Sequence, residues 1–71
     1  MIAVTIEVAR AGHTSERVLE LAEGTLVRTA VRAAGLSPEG CAVLIDGVPV
    51  PRDLPLVGAT RLTLVPTFSG G

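Results

Sequence analysis

Few side chains in this chain of 71 residues can do chemistry, and their types exclude most of it. There is one cysteine, Cys41, and one histidine, His13. A single sulfur forms no internal disulfide and supplies no paired ligands for a zinc ribbon. Cys41 opens an apolar run and reads as a small core hydrophobe, with a redox-sensitive thiol as the alternative. His13 falls in a turn and reads as a solvated side chain rather than a metal ligand. Arg28 and Arg32 stand one helical turn apart and read as a solvated face, or otherwise as a docking surface. Glu16, Glu20 and Glu23 also read as solvated. No nucleophile is paired with a base, so no catalytic residue and no bound cofactor or metal are expected. The remaining chemical group is the carboxylate of Gly71, preceded by Ser69 and Gly70. Residues 70 and 71 carry no Cβ, so another molecule can approach their backbone closely and φ is almost free.

The charge and size leave little room for other functions. Six Arg against seven Asp plus Glu give a net charge of -1. Nonspecific binding of nucleic acid needs a basic surplus and stacking rings. Here the only aromatic residue is Phe68, so no direct nucleic-acid partner is expected. The longest apolar run, Cys41 to Ile45, is far below the ~20 residues that cross a bilayer. The first residues, Met1 to Glu7, lack a basic region and do not read as a signal peptide. A cytoplasmic protein without a membrane partner is expected. An apolar content of 48% excludes a disordered chain. A core this small holds about 3–5 kcal/mol of net stability, too little to carry a deep polar pocket as well.

The elements that must position the tail are legible from hydrophobic period. Ile2, Val4, Ile6 and Val8 alternate with Ala3, Thr5 and Glu7, which predicts a half-buried strand. Arg10-Ala11-Gly12-His13 predicts a hairpin turn with Gly12 at positive φ. Residues 14–21 predict a second strand, with Leu19 and Leu21 inward and Val18 outward. Thr25 is a candidate N-cap. Leu26, Val27, Ala30, Val31 and Ala34 then form one helical stripe, which predicts a helix over about 25–34. Gly35 suits the position after its C-cap, and Pro38 prevents continuation.

Beyond a loop at 36–40, residues 41–46 predict a strand with Val43 and Ile45 on one face and Ala42 and Leu44 on the other. Asp46-Gly47 is a turn signal. Val48-Pro49-Val50-Pro51 suits only an edge strand. Residues 52–60 read as irregular, and Arg61 to Val65 as the last strand, with Leu62 and Leu64 inward. The prediction is an α+β fold: a mixed sheet of four to five strands with one helix across one face, and the first and last strands adjacent. Residues 1–66 form the domain, and 67–71 a flexible tail.

This order of elements, the length and the Gly-Gly end resemble the ubiquitin-like β-grasp family over the whole chain. The likeness is greatest to small archaeal modifier proteins and related sulfur carriers. It is carried by Leu36-Ser37-Pro38, by the run from Ala42 to Asp53, and by Ser69-Gly70-Gly71. The resemblance implies that a separate adenylating enzyme of the ubiquitin-activating kind, using ATP, activates the Gly71 carboxylate. A sulfur source would then give a thiocarboxylate, or a thiol a thioester on the way to an isopeptide conjugate. Protein targets or sulfur acceptors, tRNA thiolation included, would be the destinations, and the protein would be a monomeric co-substrate rather than an enzyme. Leu44 and Val65 match the ubiquitin hydrophobic patch by position and are expected on the open face of the sheet as a partner site.

The absence of lysine means that such a modifier could not build lysine-linked chains on itself. Two alternatives stay open. Residues 65–71 partly resemble the tail of the small subunit of molybdopterin synthase, another sulfur carrier. The fold could also serve as an interaction module with an unreactive tail.

Overall fold

A computed structural model of the chain describes residues 1–10 and 12–66. The first strand, β1 (Ile2–Arg10), turns back into β2 (His13–Leu21), and the pairing continues without a break from Ile2 opposite Leu21 to Arg10 opposite His13. Gly12 takes φ +66° in the turn, as its sequence context requires. One helix follows, α1 (Val27–Ala33), then a single 3-10 turn at Pro38–Gly40, β3 (Cys41–Ile45), β4 (Val48–Pro49) and β5 (Thr60–Pro66). The strand order is β2-β1-β5-β3-β4. Among the described strands only β1 and β5 run parallel, Ile6 lying opposite Leu62 and Val8 opposite Leu64. This is the predicted mixed sheet under one helix, with the first and last strands at its centre.

Alternation decides the two faces. Val4, Ile6, Val43, Leu62 and Leu64 point toward the helix and are buried with Val27, Ala30 and Val31. Leu19, Leu21, Ala34 and Ile45 pack around that centre half-buried, and Cys41 lies within it. Asp46 and Gly47 both take positive φ, 53° and 78°, which closes β3 onto β4 through a tight turn of the primed type. At the helix end Gly35 has φ +84°. Its amide reaches the Arg32 carbonyl (2.9 Å) and the Leu36 amide reaches that of Val31 (3.2 Å), a Schellman closure.

Two sequence expectations are corrected. Thr25 does not cap the helix: its Oγ1 donates to the Ala22 carbonyl (2.6 Å), and Leu26 holds the N-cap position with no side-chain cap. The first free amides are taken by a distant loop instead, Val27 by the Leu54 carbonyl and Arg28 by the Arg52 carbonyl, both at 2.9 Å. Backbone carbonyls satisfy orphan helix donors as well as a hydroxyl does. The second correction concerns residues 52–60. They are irregular as expected, yet Leu56 is only 2% exposed and belongs to the core. Its amide donates to the Thr25 carbonyl (2.8 Å), and its carbonyl accepts from the Gly24 amide (2.7 Å). These bonds fasten the loop across the start of the helix.

Candidate functional site

The strand that ends at Pro66 delivers the chain to its last five residues, so β5 and its neighbours form the ground on which any tail chemistry stands. The tail residues named in the sequence, Ser69, Gly70 and Gly71, lie outside the described residues. What the structure does place is the surface beside their point of departure. Pro66 lies opposite Cys41 on β3, and Val65 opposite Ala42.

Leu44 and Val65 both fall on the open face, because their neighbours Val43 and Leu64 are buried against the helix. Leu44 lies opposite Thr63, so Leu44 and Val65 are diagonal neighbours. Such pairs sit about 7–8 Å apart and can share one contacting group. Val65 is 37% exposed and Leu44 is half-buried. Ala42 and Pro49, opposite Val65 and Leu44 respectively, extend the same apolar strip. The strip therefore spans β5, β3 and the turn into β4, and reaches the base of the tail.

The other half of this face is ionic, which sequence reasoning missed. Arg61 Nη1 donates to Glu16 Oε2 at 2.6 Å and lies 3.5 Å from Glu7 Oε2. Thr63 Oγ1 donates to Glu7 Oε1 at 3.3 Å. The hydrogen bond to Glu16, then the charges of Glu16 and Glu7, raise the Arg61 pKa. Glu16 is thus a paired residue rather than a merely solvated one. Its partner lies 45 positions away. Only the β2-β1-β5 register brings the three charges together. Thr63 forms the seam between the two halves, facing Leu44 on one side and Glu7 on the other. With Glu20 the ionic half holds three carboxylates against one guanidinium, so it is net negative.

The other singled-out residues stay apart from this face. His13 is exposed at the hairpin turn. Arg28 and Arg32 lie on the helix, the first half-buried and the second exposed. Cys41 is buried. Among the described residues no three His, Cys, Asp or Glu side chains gather as a metal site, and no helix is long and apolar enough to cross a membrane.

Comparison with known proteins gives a family and a fold. The model of the family described as Small archaeal modifier protein 2 matches residues 2–65. No curated protein sequence matches. Among solved structures, Caldiarchaeum subterraneum ubiquitin superposes with a TM-score of 0.72 at 22% identity, covering 99% of this chain and 98% of that one. A ubiquitin-like protein from the hyperthermophilic archaeon Caldiarchaeum subterraneum gives a TM-score of 0.61 at 20% identity, covering 97% and 100%. At these identities the likeness establishes the ubiquitin-like fold.

Proposed function

The chain belongs to the Small archaeal modifier protein 2 family, and from that membership we propose that it is a carrier whose Gly71 carboxylate is activated by a separate adenylating enzyme. The observation that carries this reading is the family match over 2–65 followed, at the fourth and fifth positions beyond β5, by Gly-Gly. A free carboxylate is a poor electrophile. Attack of its oxygen on the α-phosphorus of ATP forms an acyl-adenylate and releases pyrophosphate. A sulfur nucleophile then displaces AMP, giving a thiocarboxylate or a thioester. The thioester passes its acyl group to a target amine as an isopeptide bond, whereas the thiocarboxylate supplies sulfur to an acceptor such as tRNA. ATP is thus a cofactor of the activating enzyme and not of this chain. Such a protein works in the cytoplasm as a monomer and contributes no acid, base or nucleophile of its own.

The experiment is intact mass after incubation with the cognate activating enzyme, ATP and a sulfur source. Conversion of –COOH to –COSH adds about 16 Da at an acyl carbon. An unchanged mass would leave the unreactive interaction module as the reading. The resemblance of residues 65–71 to the molybdopterin synthase small subunit names one possible acceptor class, tested by adding that enzyme's large subunit to the thiocarboxylate.

The strip of Leu44 and Val65 is the surface we assign to the activating enzyme, since it joins the root of the tail. A partner that seats an aliphatic group here meets Glu7 across Thr63 on the flank, so a basic residue beside its apolar contact suits it. Leu44→Arg should raise the KM for the carrier in the activation assay at least tenfold and leave the chain folded, because Leu44 is half-buried on the open face and lies outside the buried core. Unchanged kinetics in that variant would remove the strip from the activation step.

A further inference from the structure

The pairing of β3 with the chain that follows the Asp46-Gly47 turn is short. Ile45 lies opposite Val48 and Leu44 opposite Pro49, and the last bond runs from the Val50 amide to the Val43 carbonyl (3.0 Å). Pro49 and Pro51 have no amide to donate, so the ladder stops there. β3 itself extends back to Cys41, where its neighbour on the other side is Pro66 of β5. Residues 50–52 therefore stand beside the start of β3, and among the described residues no further backbone bond joins the two segments.

A cleft of about 270 Å³ lies between them, with Cys41, Ala42, Pro49, Val50, Pro51 and Arg52 in its walls. Pro49, Pro51 and Arg52 are exposed, Ala42 and Val50 half-buried, and Cys41 buried. Arg52 Nε donates to the Pro38 carbonyl (3.0 Å), which fixes that side chain, and Arg52 makes no ion pair among the described residues. Two proline rings and a fixed guanidinium suit an aromatic ring better than an aliphatic group. Prolines and aromatic side chains select one another in peptide grooves, and a guanidinium is drawn to the face of a ring. The size also fits, since ~150 Å³ already holds a benzene-sized group.

The chain owns one aromatic residue, Phe68, two positions beyond Pro66 and outside the described residues. Pro66 faces Cys41 across paired strands, a spacing of ~5 Å, and the cleft opens on the far side of Cys41. Two residues span up to ~7 Å, and the phenyl ring reaches further. Phe68 thus has the length to cross the start of β3.

We propose that this cleft is the seat of the chain's own Phe68, whose ring packs on Ala42 beside Pro51 and the Arg52 guanidinium. Burying one ring gains about what fixing two backbone residues costs, so seated and released forms are both populated. Ala42 lies opposite Val65, so a seated ring also covers one end of the apolar strip. The device is a latch: a partner that takes the strip competes with the ring, and lifting the ring frees the tail. The ring of a second copy is the weaker occupant, because a short tether gives the chain's own ring a ~millimolar effective concentration. The seat involves no activation chemistry, so it stands whether or not Gly71 is adenylated.

The test compares methyl spectra of the isotope-labelled full chain with those of Phe68→Ala, Phe68→Leu and the double variant Pro49→Ser with Pro51→Ser. In the unaltered chain, nuclear Overhauser contacts should join the Phe68 ring to the methyl groups of Ala42 and Val50. Phe68→Ala and Phe68→Leu should both shift those methyl signals more than any others in residues 1–66, because the ring current is lost. The serine variant should keep the amide dispersion of a folded chain and lose the ring contacts. Dilution should leave the contacts unchanged. Four outcomes overturn the proposal: methyl signals of Ala42 and Val50 indifferent to Phe68→Ala, ring contacts centred on another surface such as Val18 or Val57, contacts that survive in a folded serine variant, or contacts that fade on dilution and so belong to a second copy.

Discussion

Deleting Gly71 and replacing Gly70 with Val should each reduce ATP–pyrophosphate exchange with the cognate activating enzyme to background. The two changes act differently. The deletion keeps a carboxylate but withdraws it by one residue, ~3.5 Å along an extended chain. A reacting group displaced that far no longer meets the α-phosphorus, and an ångström already costs about a hundredfold. Gly70→Val keeps the carboxylate in place and adds a branched, χ1-stiff side chain where the nucleotide channel must close on bare backbone. The described core is formed without the tail, by Val4, Ile6, Val31, Leu64 and their neighbours, and the thermal midpoint is expected not to move. Cys41→Ser supplies the contrast. Cys41 is a core residue, so its change should alter stability and leave exchange intact. Full exchange by the Gly71 deletion would end the carrier reading.

Val31→Asp should leave the chain unfolded at 25 °C. Val31 is fully buried on α1 and faces the strand residues of the core. A carboxylate there has no partner among the described residues, whose core holds no polar or charged side chain. Burying it, or protonating it to fit, costs several kcal/mol. That equals most of the about 3–5 kcal/mol that a core of this size supplies. Val18→Asp is the matched control. Val18 is 62% exposed on the opposite face, between Glu16 and Glu20, and the same substitution should cost no more than about 1 kcal/mol, the span of strand propensity. Far-ultraviolet circular dichroism and amide dispersion read both. A folded Val31→Asp protein with an unshifted midpoint would contradict the packing described.

Regular period made most of the fold legible. The alternation of Ile2, Val4 and Ile6 and the stripe of Val27, Ala30 and Val31 named faces that the structure buries. Asp46-Gly47 and Gly35 named backbone conformations that few other residues take easily. Leu56 was not legible, because Pro51 and Pro55 break any period around it and its burial comes from bonds to Gly24 and Thr25. The helix cap was misread for a related reason. A local rule favoured Thr25, whereas the amides at 27 and 28 are met by carbonyls at 54 and 52. At the candidate surface, Leu44 and Val65 could be placed by parity along their own strands. The Arg61 cluster needs three strands in register, and that is knowledge of pairing rather than of pattern.

The parallel contact of β1 with β5 also governs when the protein can fold. The central strand of the sheet is the last made of the described strands, and Leu62 and Leu64 on it complete the core. Until they leave the ribosome, β1 has only its hairpin partner, and a lone hairpin is marginal in water. Joining residues 4–8 to 60–64 also closes nearly the whole chain into one loop, an entropic step that must be met before this contact stabilises anything. Folding therefore waits for synthesis to pass the final strand. A nascent chain stalled before residue 60 has no stable domain to display and stays open to proteolysis. The pairing that roots the tail thereby makes the folded domain a signal that translation has reached the tail's threshold.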